Sequence, residues 1–351
     1  MRLGRFGILT ALVVAALPGA AAAQVYPERI IAREKVRAVV AAYQQRRDSN
    51  SREEQIDRST RTLKLGANGT IALANIAGDI LVTRGGGPDV TVEIVKTARG
   101  RDVNDARELL QLVQVEVTER AGRADVRARY PNNEGRNNRR NINVSVAYTV
   151  TAPAGTRIVI ESISGNVKVN DIKGDVSANT ISGDVRISGA ARISAAKTIS
   201  GMVEIVDAQT DGVLESGSVS GDVVLRRVTA RRIEASTVSG NVKLDELQCE
   251  RVDASSTSGN VWFTGPLARG GRYEFNAFSG EVRLTLSGNT GFELDANSFS
   301  GNIQTDFQIT TRSASTGGRR GRRTELSGTY GDGSAILDLT TFSGSIVITK
   351  R

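Results

Sequence analysis

The sequence predicts an all-β protein whose main part is a single-stranded parallel β-solenoid (β-helix) of about 8–9 coils. Two observations carry this prediction. The tetrapeptide Ser-Gly-(Asn/Asp)-Val recurs five times between residues 164 and 261, and its glycine returns every 18 to 21 residues from Gly165 to Gly301. A period near 20 residues is typical of solenoids, in which each repeat forms one coil and neighbouring coils bury each other's apolar faces.

Residues 1–23 have the features of a cleavable signal peptide. Arg2 and Arg5 precede an uncharged apolar stretch, and the alanines at 21–23 provide an Ala-x-Ala cleavage site. The apolar stretch is shorter than the roughly 20 residues that a membrane-spanning helix needs, and the sequence offers no other candidate span. We therefore expect an exported bacterial protein, either periplasmic or extracellular at the cell surface, without a transmembrane segment after signal cleavage.

Residues 24–62 are expected to form an N-terminal helix followed by a polar linker. Apolar residues recur at three- and four-residue steps from Glu28 to Arg47, which is typical of an amphipathic helix. A helix lying on a membrane surface is the alternative interpretation. The stretch from Arg46 to Arg61 is almost entirely polar, which favours a mobile linker.

Residues 63–155 are expected to form a β-rich N-terminal part with one helix near residues 103–113. Short alternating runs, such as residues 71–73 and 90–94, are separated by glycines and predict half-buried strands. Asp102 can cap the first turn of the helix, and the apolar residues between 106 and 113 supply one apolar face.

The solenoid repeats are expected to fill residues 156–351. Apolar side chains stand two residues before, two after and four after the repeat glycines, and this alternation predicts that all three positions face the core. The glycine itself is expected at a turn that needs a positive φ, which makes it structural. These turn glycines are Gly165, Gly183, Gly201, Gly221, Gly240, Gly259, Gly280, Gly301 and Gly344. Phe278, Phe299 and Phe342 share one register and are expected to stack as an aromatic ladder that closes the core.

The spacing between Gly301 and Gly344 is about twice the usual period, so either one coil lacks the motif or an insertion interrupts the stack. The sequence favours a basic insertion loop over residues 310–333. This loop is either an ordinary solvated segment or a candidate anion-binding loop. Its arginines are Arg312, Arg319, Arg320, Arg322 and Arg323.

The composition excludes several kinds of active site. The chain contains no histidine, which removes Ser-His-Asp and Cys-His nucleophiles and histidine-based metal sites. Cys249 is the single cysteine and is interpreted as a packing residue. The residues after the repeat glycines mix asparagine with isolated acids, which favours a hydrogen-bonding ladder over a calcium site. No cofactor, metal site or catalytic residue is therefore predicted.

An enzymatic alternative stays open at this stage. Polysaccharide-cleaving β-helices place carboxylates on neighbouring coils, and a glycosidase needs two carboxyl groups about 5–10 Å apart. Two sets of acids could meet this requirement: Asp171 with Asp175, or a group formed by Asp245, Glu246, Glu250 and Asp253.

The repeats, together with the terminal segment Leu339–Ile346, resemble the bacterial putative-adhesin domain family of unknown function, which is related to auto-transporter adhesin head domains. The resemblance covers about Leu63 to Arg351 and implies an exported β-solenoid without assigned catalytic residues. The first hypothesis is a non-enzymatic envelope protein, an adhesin or a binding or scaffold module. Its partner would be an anionic glycan or another envelope protein, and no nucleic acid is expected. The alternatives are a carbohydrate-active β-helix enzyme and a structural scaffold associated with envelope stress.

Overall fold

The computed structural model describes residues 53–131, 142–315 and 324–351. The expected signal peptide and N-terminal helix lie outside these residues. The described elements, in chain order, are β1 Glu53–Leu63, β2 Thr70–Ala77, β3 Ile80–Arg84, β4 Val90–Gly100, α1 Val103–Leu112, β5 Gln114–Arg120, β6 Arg123–Arg129, β7 Val144–Ala152, β8 Arg157–Ser164, β9 Val167–Asn170, β10 Asp175–Ser182, β11 Val185–Ser188, β12 Arg192–Ser200, β13 Val203–Val206, β14 Val213–Ser220, β15 Val223–Arg226, β16 Thr229–Ser239, β17 Val242–Asp245, β18 Gln248–Ser258, β19 Val261–Pro266, β20 Arg272–Ser279, β21 Val282–Ser287, β22 Phe292–Ser300, β23 Ile303–Thr305, β24 Thr310–Ser315, β25 Thr324–Tyr330, β26 Ala335–Ser343 and β27 Ile346–Lys350.

The strands form two long sheets, and the predicted all-β solenoid is confirmed. Sheet A contains 13 of the described strands, in the order β1-β4-β7-β3-β9-β11-β13-β15-β17-β19-β21-β27-β23. Sheet B contains 14, in the order β24-β25-β22-β26-β20-β18-β16-β14-β12-β10-β8-β2-β6-β5. Each coil contributes one strand to sheet B, turns at a glycine, and then contributes one shorter strand to sheet A. Apolar side chains from the inner faces of both sheets form one continuous core.

The stack contains ten such coils in the described residues, beginning with β2 and β3. Gly78 is the corner glycine of this first coil, which the sequence had placed in the β-rich N-terminal part. The helix expected near residues 103–113 spans Val103–Leu112 and buries Ala106, Leu109 and Leu110. Its N-cap is Asp102, whose side chain accepts a hydrogen bond from the backbone N–H of Asp105 at 2.8 Å.

The expected polar linker is wrong for residues 53–62, because they belong to β1. This strand pairs antiparallel with β4 along its whole length, from Glu53 opposite Gly100 to Leu63 opposite Val90. Nearly all of its side chains are exposed. A strand at the edge of a sheet can be held by main-chain hydrogen bonds alone, so its sequence carries no alternating apolar pattern.

The two ends of the stack are built differently from its middle. At the N-terminal end, β4 pairs antiparallel with β7 and β5 pairs antiparallel with β6. At the other end, the last coil in the sequence is not the last coil in space. Strands β26 and β27 insert between the coil of β20 and β21 and the coil of β22 and β23. The long spacing before Gly344 therefore reflects an insertion, the antiparallel pair β24 and β25.

The repeat glycine shifts the alternation of inward and outward side chains. Residues two and four after it are buried as expected; Val242 and Leu244 are examples. The expectation for the residue two before it is wrong, because Ile163, Ile181, Ile199, Val219, Val238, Phe278, Phe299 and Phe342 are all exposed. The residue three before the glycine points inward instead. The last inward residue before the glycine and the first one after it are five residues apart, which is an odd number. The period-two alternation of one strand therefore does not continue into the next strand.

A second corner recurs six residues after the repeat glycine. In five coils the residue at this position has a positive φ of 50–65°, and four of these five residues are not glycine: Asp171, Gly189, Asp207, Arg227 and Glu246. The next residue is apolar and buried, as for Ile172 and Val228. This residue fills the gap between the short strand in sheet A and the next long strand in sheet B.

Candidate functional site

The turn glycines are required by close contact between coils. At Gly240, φ is +152° and an added Cβ would lie 2.2 Å from the carbonyl oxygen of Gly221 in the adjacent coil. At Gly301, an added Cβ would lie 1.8 Å from the carbonyl oxygen of Gly344, although its φ is outside the range that favours glycine. No side chain fits at such a distance from backbone. Contact with the next coil therefore explains the recurrence of glycine more completely than the expected positive φ alone.

The residues after these glycines form a ladder of side-chain to backbone hydrogen bonds. Asn241 Oδ1 accepts from the backbone N–H of Asn260 at 3.1 Å, and Asn260 Oδ1 accepts from that of Glu281 at 2.8 Å. Asp184 Oδ1 accepts from the N–H of Met202 at 2.9 Å, where the ladder is interrupted because methionine offers no oxygen. The Asn/Asp of the repeat thus satisfies backbone donors of the neighbouring coil.

Buried hydroxyl groups complete the corner. Ser218, three residues before Gly221, donates its hydroxyl to the carbonyl of Gly201 at 2.9 Å, and Ser256 donates to the carbonyl of Gly240 at 2.9 Å. Because these carbonyls lie at a turn, the side chains replace partners that a regular strand would supply. The repeated motif is therefore occupied by structural contacts, and a binding surface has to be sought on the outer faces of the sheets.

An exposed apolar ridge runs along the edge of sheet B next to the glycine corners. It consists of the residues two before each corner glycine, which neighbouring strands place side by side, with Thr257 as the one polar member: Ile76, Ile163, Ile181, Ile199, Val219, Val238, Thr257, Phe278, Phe342 and Phe299. Phe278 is 57% exposed and Ile199 is 49% exposed. With parallel strands about 4.8 Å apart, the ridge is about 43 Å long.

The three phenylalanines stack, but outside the core that they were expected to close. The rings of Phe278 and Phe342 are 4.9 Å apart with an interplanar angle of 2°, and those of Phe342 and Phe299 are 4.7 Å apart at 4°. Phe342 lies in the middle because its strand, β26, is inserted between the other two. Inside the core, other aromatic residues lie in the coil of Phe278 and in the coil next to it: Tyr273, Phe275 and Phe263.

A ladder of six carboxylates lies on the same outer face, six residues before the corner glycines. Consecutive strands place these acids directly beside one another in the order Glu215, Glu234, Asp253, Glu274, Asp338 and Asp295. This acidic ladder was not predicted, because the stacking of acids from coil to coil was considered only at the position after each glycine. The signal is present in the sequence, since all six acids stand six residues before a corner glycine.

At one end of the acidic ladder the carboxylates have no direct ion pair among the described residues. Lys197 pairs with Glu215, and Arg232 lies 2.8 Å from Glu234. Among the described residues, no ion pair reaches Glu274, Asp338 or Asp295. Partial burial, and next the nearby carboxylate of Glu274, raise the pKa of both Asp253 and Asp338 above the ordinary range. Like charges on adjacent strands repel one another, so this row costs stability.

Small side chains separate the ridge from the acidic ladder. The residues four before the corner glycines are, along the same six coils, Gly217, Ser236, Ser255, Asn276, Thr340 and Asn297. Side chains on one face of a strand repeat every second residue, so these residues lie between the two other rows. We call this row of shorter side chains, flanked by the ridge and the acidic ladder, the groove.

A second hollow surrounds the single tryptophan on the outer face of sheet A. It has a volume of about 520 Å³ and is lined by Trp262, Asn260, Thr264, Glu281 and Arg283 among others. Lys243 Nζ lies 5.2 Å from the centroid of the Trp262 ring and pairs with Asp222 at 2.8 Å. A half-buried aromatic ring beside charged and amide groups is typical of a surface that holds a polar ligand.

The candidate anion-binding loop is only partly described. Arg312 belongs to β24, and its guanidinium donates to Glu293 Oε1 at 2.7 Å. Its charge is therefore shared with Glu293 at the protein surface, and the assignment of these arginines as an anion-binding loop stays a prediction. The other four arginines of this set, at 319, 320, 322 and 323, lie outside the described residues.

The carboxylates considered for catalysis are dispersed. Asp245 ends a strand of sheet A, and Glu246 forms the second corner of its coil. Glu250 and Asp253 both lie on β18 of sheet B, and Asp253 belongs to the acidic ladder. Asp171 forms a second corner, whereas Asp175 lies 3.5 Å from Arg157 at the start of β10. Among the described residues, no group of three or more acids or cysteines is arranged to hold a metal ion.

Cys249 is buried, and burial raises the pKa of its thiol to about 12. A thiol with a raised pKa is a poor nucleophile at neutral pH. Its backbone carbonyl accepts a hydrogen bond from Tyr273 Oη at 3.0 Å. These contacts agree with the interpretation of Cys249 as a packing residue.

None of the helical segments within residues 53–131, 142–315 and 324–351 combines the length and apolar character needed to cross a bilayer.

Three solved structures resemble this chain in fold. One is a putative adhesin from Bacteroides fragilis NCTC 9343, with 16% identity, a TM-score of 0.41 and coverage of 84% of this chain and 97% of its own. A putative adhesin from Parabacteroides distasonis ATCC 8503 has 10% identity, a TM-score of 0.42 and the same coverages. A putative lipid binding protein from that organism has 12% identity, a TM-score of 0.40 and again coverages of 84% and 97%. None of the three names is that of an enzyme.

A search of curated proteins finds no match. A family match, in contrast, covers residues 70–349, from the first strand of the first coil to the last strand of the stack. This range includes the corner glycines, the ridge and the acidic ladder. The chain therefore belongs to the Toastrack family, DUF4097.

Proposed function

We propose that this protein is an exported, non-enzymatic module of the bacterial cell envelope that holds a partner molecule on the outer face of sheet B, as an adhesin or a binding scaffold. The observation that carries the proposal is the apolar ridge. Monomeric proteins rarely expose long contiguous apolar surfaces, and those that occur often mark interaction sites. Ile163, Ile181 and Ile199 each remain about half exposed although neighbouring strands stack them together.

The ridge is not needed to build the coil. The residues before and after it supply the core and the corner contacts, as Ser218 and Leu225 do for the coil of Val219. Polar side chains would fit equally well at a half-exposed strand position, and Thr257 occupies one such place in the same row. Retaining apolar side chains in the other nine places is consistent with a surface that is covered by a partner.

Photocrosslinking in the cell tests the proposal. The full-length protein would carry a benzophenone amino acid at Phe342 on the ridge or, as the control, at Lys168 on the outer face of sheet A. We expect a discrete crosslinked species from position 342 and none from position 168. A folded protein that gives no crosslink from Phe342, Val219 or Ile181 would argue against a binding role for the ridge.

Export is part of the proposal and needs its own measurement. The signal-like residues 1–23 support it, since they combine basic, apolar and small-residue segments in the expected order. Cell fractionation, followed by protease treatment of intact cells, distinguishes periplasmic from surface-displayed protein. Recovery of the full-length, uncleaved chain in the cytoplasm would refute export.

The hollow around Trp262 favours a second candidate, the binding of a glycan. The open face of the half-buried Trp262 ring can stack on a sugar, while Asn260 and Arg283 offer groups for hydrogen bonds. Trp262 is the only tryptophan, so its fluorescence reports directly on this hollow. We expect saturable quenching by an acidic oligosaccharide, with loss of affinity when Arg283 is replaced by Gln. An emission spectrum that does not change at millimolar concentrations would exclude this candidate.

A further inference from the structure

We propose that the groove between the apolar ridge and the acidic ladder is the docking site for a cationic amphipathic α-helix of a partner protein. This inference rests on the proposed function, that the outer face of sheet B holds a partner, and names the chemistry of that partner.

The first argument is the shape of the groove. The ridge and the acidic ladder are four residues apart along each strand, for example Phe278 and Glu274 in β20, so their separation is about 13 Å at about 3.3 Å per residue. An α-helix with its side chains is about 10–12 Å wide. The floor between the walls is made of shorter, uncharged residues, from Gly217, Ser236 and Ser255 at one end to Asn276, Thr340 and Asn297 at the other. The separation of about 13 Å is measured between backbone positions, so a helix lies over the floor and contacts the side chains of both walls.

The second argument is the length over which both walls exist. The acidic ladder extends over six adjacent strands, from β14 to β22. At about 4.8 Å per strand this is about 24 Å, which corresponds to a helix of about 16 residues. The ridge continues beyond the acidic ladder towards Ile163 and Ile76, where the matching position of the other wall holds neutral residues such as Val159 and Ala72. The complete groove is thus restricted to one part of the solenoid.

The third argument is charge. The acids at the Asp295 end of the ladder have no ion pair among the described residues, although three arginines, Arg232, Arg251 and Arg272, stack on the far side of the ladder. Stacked carboxylates that repel one another are stabilised by cations placed along them. A partner helix with lysine or arginine on one side supplies those cations at the groove side of the ladder.

The opposite wall, the ridge, would contact an apolar side of the same helix. The stacked rings of Phe278, Phe342 and Phe299 form the part of the ridge beside the unpaired acids. Aromatic side chains provide large contact areas at low entropic cost, which makes them frequent anchors of interfaces. An apolar stripe next to a cationic stripe therefore matches the two walls. A bilayer rich in anionic lipid is disfavoured, because the acidic ladder beside the ridge would repel it.

The test uses the full mature chain and a synthetic helical peptide of 16 residues with one leucine stripe and one adjacent arginine stripe. Binding is measured by fluorescence anisotropy of the labelled peptide. One control peptide has glutamate in place of arginine, and another has the same composition in scrambled order. The protein variants are Glu234→Gln/Glu274→Gln/Asp338→Asn in the acidic ladder and Phe278→Ser/Phe342→Ser in the ridge. The matched controls are Glu161→Gln, which lies on the same face outside the complete groove, and Ile56→Ser, which removes an exposed apolar side chain of β1 outside the ridge.

We expect micromolar binding of the arginine peptide that weakens at least tenfold in each groove variant and between 50 mM and 500 mM salt. The control variants should change the affinity less than twofold. Equal binding of the glutamate or scrambled peptide, or unchanged affinity in the acidic-ladder variant, would overturn the proposal. So would association of the chain with phosphatidylcholine vesicles, or dimerisation in the ultracentrifuge, if either is lost in the ridge variant. Crosslinking from Phe342 in the cell without peptide binding would overturn only the helical occupant and leave the binding function intact.

Discussion

Replacing Glu274 by glutamine should stabilise the protein at neutral pH, because it removes the charge at the centre of the acidic ladder's crowded end. Glu274 lies directly beside Asp253 on one neighbouring strand and Asp338 on the other. The substitution keeps the size of the side chain. It also keeps an oxygen that can accept the hydrogen bond from Asn276 Nδ2, which measures 3.0 Å. The change therefore tests the repulsion and little else.

The expected gain follows from Coulomb's law. Two carboxylates about 5 Å apart at the protein surface repel by about 0.8 kcal/mol in a medium of water-like dielectric constant. The two neighbours of Glu274 together give about 1.7 kcal/mol, and screening at physiological ionic strength reduces this by about half. We expect the free energy of unfolding to rise by about 1 kcal/mol at pH 7.

The gain should depend on pH and salt in a defined direction. The folded-state pKa values of Asp253 and Asp338 are raised, first by partial burial and then by Glu274. Groups with a raised folded-state pKa stabilise the fold when protonated and lose that contribution as the pH rises through the folded-state pKa. The difference between variant and parent should therefore be full at pH 7, should decrease as the pH falls through the raised pKa values of Asp253 and Asp338, and should be nearly absent at about pH 2, below the ordinary pKa of an aspartate.

Urea unfolding, followed by the fluorescence of Trp262 and by circular dichroism, measures this difference. Glu161→Gln is the matched control, because it removes an exposed glutamate from the same sheet face where the adjacent strands carry Ala74 and Asn179. The reasoning fails if Glu274→Gln is neutral or destabilising at pH 7. It also fails if the gain is undiminished at pH 3 or in 1 M salt, where the Debye length is about 3 Å.

Three further substitutions test the coil itself, each by denaturant unfolding. Gly240→Ala should lower the free energy of unfolding by at least about 2 kcal/mol, since the added Cβ would lie 2.2 Å from a backbone oxygen. Gly212→Ala is the control and should leave it nearly unchanged, because no atom lies within 4 Å of the added Cβ. Ser218→Ala should cost about 1–2 kcal/mol by leaving a buried carbonyl unpaired, and an unchanged midpoint would contradict that role. Glu246→Gly should raise the free energy of unfolding by about 0.5 kcal/mol, because the φ of +52° at this position strains any residue with a Cβ. A lower free energy of unfolding would show that the Glu246 side chain stabilises the corner.

Several features of the coil can be predicted from the sequence because they are local and recur in every repeat. Every coil must approach its neighbour closely at the corner, so only glycine fits there, and its spacing reports the length of the coil. The aliphatic residues two and four after the glycine, such as Val242 and Leu244, are buried as expected. The ladder after the glycine follows from the same periodicity, because asparagine recurs wherever a backbone N–H of the next coil needs a partner.

The ridge could not be assigned from hydrophobicity. Ile199 and Val203 flank Gly201 symmetrically in the sequence, yet the first is exposed and the second is buried. The inward side chain of the long strand is Thr198, whose hydroxyl bonds the carbonyl of Gly183 at 3.0 Å. Hydrophobicity alone predicts that Ile199 faces the core and Thr198 faces solvent. The opposite is observed, because the hydroxyl of Thr198 is needed as a hydrogen-bond donor to the carbonyl of Gly183.

The repeat spacing is enough to identify a stack of coils with glycine corners, and it places acids at a constant distance before those corners. Which residues lie on the outside, and which of them become neighbours, depends on the folded arrangement of the coils. Asp338 and Phe342 enter their rows because β26 inserts between β20 and β22, a non-local pairing. Local periodicity specifies a coil, but the order of coils depends on which strand edges find each other in three dimensions.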